Sequence, residues 1–235
     1  MTHKSFVLAL PRADLLALND LVKAGAKAEE EWLSQARKNA GLAGLRGSEA
    51  SAARLRIRLE RDRLRQAGTL TGTRAAVVGF ALRTVLRRRD LDREWPEPPP
   101  GEASAPGRRW GSTQRAGWTP EDREAGDDLD GRMEVKLQAD LGQTVVRAAY
   151  WTSEPAVVQL KAWFDRFGDG PVVQMRDAAR GGVPAGLAMF AAALGERPKA
   201  EDLERRDKLR AQILTSGDLL REAVQEAIGR AVPGS

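Results

Sequence analysis

Six consecutive residues, Arg54-Leu55-Arg56-Ile57-Arg58-Leu59, alternate a cation with an aliphatic side chain. As an extended strand they put Leu55, Ile57 and Leu59 on one face and three guanidinium groups on the other. A two-stranded ribbon carrying such a row fits the major groove of duplex DNA, where arginine bonds in bidentate fashion to guanine O6 and N7. The chemistry on offer is recognition of an anion, not bond-making. The longer segment 54–89 holds eleven arginines against Glu60 and Asp62, a density that attracts polyanions and displaces their counterions. Within it Arg61 and Arg63 are expected to hold phosphates. Thr73 is the expected cap of a helix containing Val78, Ala81, Leu82 and Val85, whose free amides, with Arg74 beside them, suit a further phosphate. The same six residues also fit a basic helix continuing from Ser48-Glu49-Ala50, and in either conformation the arginines reach phosphates.

The rest of the composition removes most catalytic schemes. The chain of 235 residues has 38 basic and 33 acidic side chains, a net charge of +5, no cysteine and a single histidine, which is His3. Disulfides, zinc–thiolate sites and histidine-based triads therefore lack their residues, and we expect a non-enzymatic protein without cofactor or metal. Tyr150, the only tyrosine, has no partners for nucleophilic chemistry and reads as packing beside Trp151. Gly181–Gly186 lacks the Gly-Lys-Ser/Thr ending of a phosphate loop. Asp127, Asp128 and Asp130 lack a spaced ligand set and read as an acidic linker. No apolar run reaches the ~20 residues of a membrane helix, and no signal peptide is read before Pro11. The expected location is the cytoplasm. Arginine outnumbers lysine by 30 to 8, an excess that a GC-rich genome also produces.

Three regions follow from charge and composition. Residues 1–91 form a basic module of strand and helices, 92–130 a proline-rich linker, and 131–235 a second module of strand and helices. Residues 1–94 carry a balance of +8 and the remainder −3. Trp95, Trp110 and Trp118 are unusual in a linker and are expected to pin it to a domain surface. The modules echo one another. Leu8–Leu15 matches Val135–Leu141 with one residue skipped, and Leu59–Arg65 matches Leu203–Arg210. A small-residue break, Thr71-Gly72 or Ser216-Gly217, then precedes an apolar-periodic helix, which suggests an internal duplication.

Alternation predicts strands at Ser5–Leu10 and Arg132–Leu137. Helical spacing predicts helices from Leu15 onward, over Glu29–Ala40, Ala139–Trp151, Pro155–Phe167, Asp202–Leu214 and Asp218–Arg230. Between the third and fourth, Thr152-Ser153-Glu154-Pro155 reads as a turn with Ser153 as N-cap.

Strand, helix, capped turn, helix is the order in which Arg132–Phe167 resembles the ribbon-helix-helix DNA-binding family. The resemblance implies a mainly α fold of ribbon-helix-helix-like modules. It also implies that Arg132, Glu134 and Lys136 are the outward, base-reading positions, with the amides after Ser153 as phosphate anchor. Arg54–Arg89 is similar in its ribbon and second helix, but Glu60–Gly68 is a short, poorly apolar counterpart of the first helix. Met1–Ala40 fits the outline too, with Ser5, Val7 and Ala9 as weak readers of bases. The family builds its ribbon from two chains, so two copies in one chain imply a single-chain pseudo-dimer. The strand that pairs with Arg132–Leu137 is Ser5–Leu10 by the repeat or Arg54–Leu59 by chemistry.

The expected function is binding of double-stranded DNA, as a regulator or as an accessory in plasmid partition or mobilisation, with a homo-oligomer as a further option. The alternative is a helical adaptor whose basic segment docks on an acidic protein, with Trp151, Trp163 and Phe164 near a second contact. RNA binding ranks below both, because the aromatic pattern of an RNA-recognition sheet is missing.

Overall fold

The computed structural model describes residues 3–99, 129–167 and 198–231. Among these the elements are β1 (His3–Leu10), α1 (Arg12–Asn39), α2 (Gly47–Gln66), α3 (Arg74–Arg88), β2 (Gly131–Gln138), α4 (Ala139–Phe167), α5 (Ala200–Ala211) and α6 (Ser216–Ala231). The fold is mainly helical, with one two-stranded antiparallel sheet. Among the described residues the order strand, long helix, helix, helix occurs before residue 92 and again after residue 130. No helix among the described residues is long and apolar enough to cross a membrane.

Both strands follow from period-two patterning. In β1, Phe6, Leu8 and Leu10 are buried; in β2, Met133, Val135 and Leu137 are. Each strand therefore has one apolar face, and pairing the two makes one apolar sheet surface. The register runs from His3 opposite Gln138 to Leu10 opposite Gly131. Of the two pairings open in the sequence, the one suggested by the repeat is present. The ribbon's second end is tied by Asp130, whose carboxylate accepts the Arg12 N–H at 2.9 Å. Pro11, which precedes α1, makes no side-chain cap. A residue expected to be plain acidic linker thus satisfies a first-turn amide of a helix 118 positions away.

The main core joins both halves. It includes Leu18 of α1, Val78, Leu82, Val85 and Leu86 of α3, Val145 and Ala148 of α4, and Leu219, Leu220 and Val224 of α6, over the inner face of the ribbon. The helices cross over: α1 and α3 pack on β2, α6 packs on β1, and α4 packs on both strands. Residues before 92 and after 130 therefore complete a single hydrophobic interior. A smaller cluster, Ala156, Leu160, Leu209 and Ile213, joins α4 to α5. Trp95 is pinned as expected: it packs on the main core, and the Trp151 indole N–H donates to the Pro96 carbonyl at 2.8 Å. Trp110 and Trp118 lie outside the described residues, as do Gly181–Gly186, Asp127 and Asp128. Tyr150 is buried edge-on against Trp151, the packing role expected of it.

Two expectations are corrected. Arg54–Leu59 is not a strand but the middle of α2, and Glu60–Gly68 does not form a separate short helix, since α2 runs through to Gln66. Twenty residues dominated by Ala, Arg, Leu, Glu and Gln favour a helix, and Ala50 and Ala53 bury its inner side. The second correction is the turn at 152–155. α4 continues through Pro155 without a break. An interior proline removes one helix hydrogen bond and costs about 3 kcal/mol. Burial of Ala156 and Leu160 against α5, and of Ser153 against Leu214, offsets that cost.

α1 lies close to the turn before α3. A Cβ on Gly25 would sit 2.6 Å from the backbone carbonyl of Thr71, and one on Gly72 would sit 2.6 Å from the Glu29 carboxylate. At that crossing Glu29, only 6% exposed, is clasped by the Arg65 guanidinium through both carboxylate oxygens.

α3 and α6 are joined at their surface by ion pairs. Arg88 reaches Glu222 at 2.9 Å and Glu226 at 2.5 Å, and Arg89 reaches Glu222 at 2.7 Å; within α6, Arg230 reaches Glu226 at 2.8 Å. The Arg88 hydrogen bond holds Glu226 below the usual carboxylate range. For Glu222 burial pushes upward, but hydrogen bonds from Arg89 and Arg88 together outweigh it and the net shift is downward. Lowered carboxylates stabilise the fold above their unfolded value of about 4.3 and lose that contribution as pH falls through their folded values. The double variant Glu222→Gln/Glu226→Gln is therefore expected to melt below the parent at neutral pH. The gap should close on acidification below about pH 4. Melting curves at stepped pH check this, and a constant gap would contradict the linkage.

Candidate nucleic-acid interface

The pleat turns alternate residues of the ribbon outward. Across the register Ser5 faces Lys136, Val7 faces Glu134 and Ala9 faces Arg132. Arg132, Glu134 and Lys136 are all exposed, as the resemblance implies for base-reading positions. The Lys136 ammonium lies 3.9 Å from Glu134, both side chains being more than half exposed. At that distance in water the pair is weak, so both groups remain available to a partner. The β1 side of the row is Ser5, Val7 and Ala9, with Val7 69% exposed. These side chains are small and mostly apolar, so the β1 side of the row offers few hydrogen-bonding groups.

The helical conformation of α2 redistributes its arginines. Residues advance about 100° each, so Arg54 and Arg58 lie about 40° apart, whereas Arg56 stands about 200° from Arg54. The row that a strand would have kept together is split over two flanks. Arg54, Arg56 and Arg58 are exposed and form no ion pair with the described residues. The others are more engaged. Arg61 Nε sits 3.9 Å from Asp62 and has no hydrogen-bond partner among the described residues. Arg63 contacts Glu60 at 3.5 Å, and Arg74 donates twice to Asn19 Oδ1, at 2.8 and 3.2 Å. Leu55 and Leu59, 53% and 55% exposed, occupy the outer side of the helix.

Thr73 caps α3 as expected, its hydroxyl accepting the Ala76 N–H at 3.1 Å. No acidic residue occupies the first turn, so the positive end of the helix keeps its potential. The corresponding helix of the second half is different. At the start of α6, Thr215 donates its N–H to Asp218 at 2.9 Å, and Asp218 N–H donates to the Thr215 hydroxyl at 3.1 Å. That reciprocal capping box places a carboxylate where an anion would otherwise bind, and Thr215 and Ser216 are buried.

No family model, curated protein or solved structure matches the chain.

Ser153 is the site residue that the structure moves furthest from its expected role. It is fully buried in mid-α4, where its hydroxyl donates to the Leu214 carbonyl at 2.8 Å and accepts the Leu214 N–H at 2.9 Å. The amides after it lie inside a continuous helix, so they offer no phosphate anchor. The expected cap is instead a bolt between α4 and the segment before α6.

Three functional-looking groups were missed by the sequence reading. Arg65 is held by Glu29, Arg83 donates to Gln138 Oε1 at 3.1 Å, and Arg88 is held by α6. Only Glu29 left a local signal. It continues the stripe Leu15, Leu18, Val22, Gly25, where a charge is out of place unless it is paired.

Proposed function

We propose that the chain binds double-stranded DNA as a single-chain, ribbon-helix-helix-like unit. β1 and β2 form the ribbon, and the arginines of α2 and the start of α3 flank it. The repeated element order and the β1–β2 pairing support an internal duplication in which one chain does what the family does with two. The observation that carries the proposal is the outward row Arg132, Glu134 and Lys136, in period-two spacing on a solvent-facing antiparallel ribbon. Arg132 and Lys136 are donors suited to guanine, and Glu134 accepts from the cytosine amino group. Arg54 and Arg58 add charge that no described carboxylate neutralises.

The test is a titration of the full chain with random and genomic duplexes across a range of salt. Binding whose log affinity falls linearly with log salt, and which Arg132→Ala weakens selectively on the preferred duplex, supports the reading. No binding even in dilute buffer ends it.

The exposed pair Leu55 and Leu59, ringed by arginines, favours a second reading in which α2 docks an acidic helix of another protein. A complex with a protein partner that survives nuclease treatment, together with indifference to duplexes, would favour that reading over the first.

A further inference from the structure

At the end of the ribbon where His3 pairs with Gln138, a partly open cavity of about 260 Å³ lies between the ribbon, the last turns of α2 and the first turns of α3. Arg65, Arg83, Lys136 and His3 line it, with Asp62 as the only acid among its lining residues. These groups differ in what already neutralises them. Arg65 is held by the buried Glu29, and Asp62 lies beside Arg61. Lys136 has only its weak, exposed neighbour Glu134.

Arg83 is the unusual one. Its guanidinium is half-buried and donates to two neutral acceptors, the Gly79 carbonyl at 3.3 Å and Gln138 Oε1 at 3.1 Å. It forms no ion pair with the described residues. Burial, and then the nearby Arg87, work against its charge and lower its pKa, with Asp92 offsetting them only in part, yet a guanidinium stays protonated in proteins. A fixed cation in a partly desolvated wall, with no counter-charge in contact, is a standing electrostatic cost unless an anion supplies one.

We propose that this cavity seats a phosphate group, with Arg83 of α3 and Lys136 of β2 donating to its oxygens. Taken as a phosphate of the DNA backbone, the occupant rests on the DNA-binding reading above; the chemistry of the seat does not. The cationic lining, not the volume, points to the class of ligand: about 260 Å³ has room for a phosphate together with part of its ester. Lys136 joins the seat to the outward row of the ribbon.

The experiment uses the full chain and two probes, inorganic phosphate and a random duplex. Phosphate is read as a rise in melting temperature with concentration, and the duplex as affinity against salt. The variants are Arg83→Gln and the more exposed Lys136→Gln, with Lys208→Gln on α5 as a control for general charge loss. Loss of one charge-assisted hydrogen bond is expected to weaken phosphate binding about tenfold in each cavity variant and not in the control. Each cavity variant should also lower the duplex salt slope by about one unit. Phosphate stabilisation that is equal in parent and variants, or absent from the parent, overturns the proposal, whatever the duplex does. Phosphate binding lost in both cavity variants while the parent ignores duplexes keeps the seat for a free phosphate and removes the DNA reading.

Discussion

Replacing Arg54 and Arg58 together with alanine is expected to lower duplex affinity about tenfold or more and to flatten the salt slope by about two units. Arg56→Ala alone should change either quantity far less. The distinction comes from the conformation of α2. On a helix Arg54 and Arg58 share a flank, and Arg56 faces away by about 200°. A duplex is a rod and lies against one flank at a time. All three residues are exposed and without internal counter-charges among the described residues, so differences in burial do not confound the comparison. Salt titrations of the single and double variants decide it. Equal losses at the three positions would contradict the flank geometry, and an unchanged slope in the double variant would remove α2 from the DNA interface.

Glu29→Ala is expected to destabilise the fold by about 3 kcal/mol, because removing one partner of a buried pair leaves the other charge uncompensated. For a chain of this size that corresponds to a fall in melting temperature of roughly 6–12 °C. The Glu29 side chain is 7% exposed and that of Arg65 25%, so water cannot fully replace the lost carboxylate. Adding Arg65→Met should recover part of the loss by removing the stranded cation, as replacement of buried pairs by apolar residues often does. Denaturant melts of the two variants measure both effects. A loss below about 1 kcal/mol would mean that the pair behaves like an exposed one.

Much of this architecture is legible in the sequence wherever a local period has one solution. The alternation of Phe6, Leu8 and Leu10 against Met133, Val135 and Leu137 specifies two one-faced strands. Each needs a cover, and the similarity of the two halves points to each other as the cover. α3 and α6 follow from apolar spacing after a small-residue break. Arg54–Leu59 was misleading because six alternating residues satisfy a strand while twenty helix-favouring residues satisfy α2, and the longer-range preference prevails. Thr152-Ser153-Glu154-Pro155 carries a sound cap signal, but tertiary contact with Leu214 overrides it. The pairs that shape the candidate site bridge long stretches of chain, 55 residues for Arg83 and Gln138 and 134 for Arg88 and Glu222. No spacing rule reaches that far. Polar contacts of this kind become visible only once the two halves interlock.

The pairing of residue 10 with residue 131 also bears on how the polypeptide is made. At ~5–20 residues per second, the ribosome needs roughly 6 to 25 s between releasing the first strand and completing the second. Throughout that interval Phe6, Leu8 and Leu10 have no mate, and an unpaired apolar edge invites association with other nascent chains. Synthesis of this protein should therefore depend on something that shields β1 until its distant complement arrives.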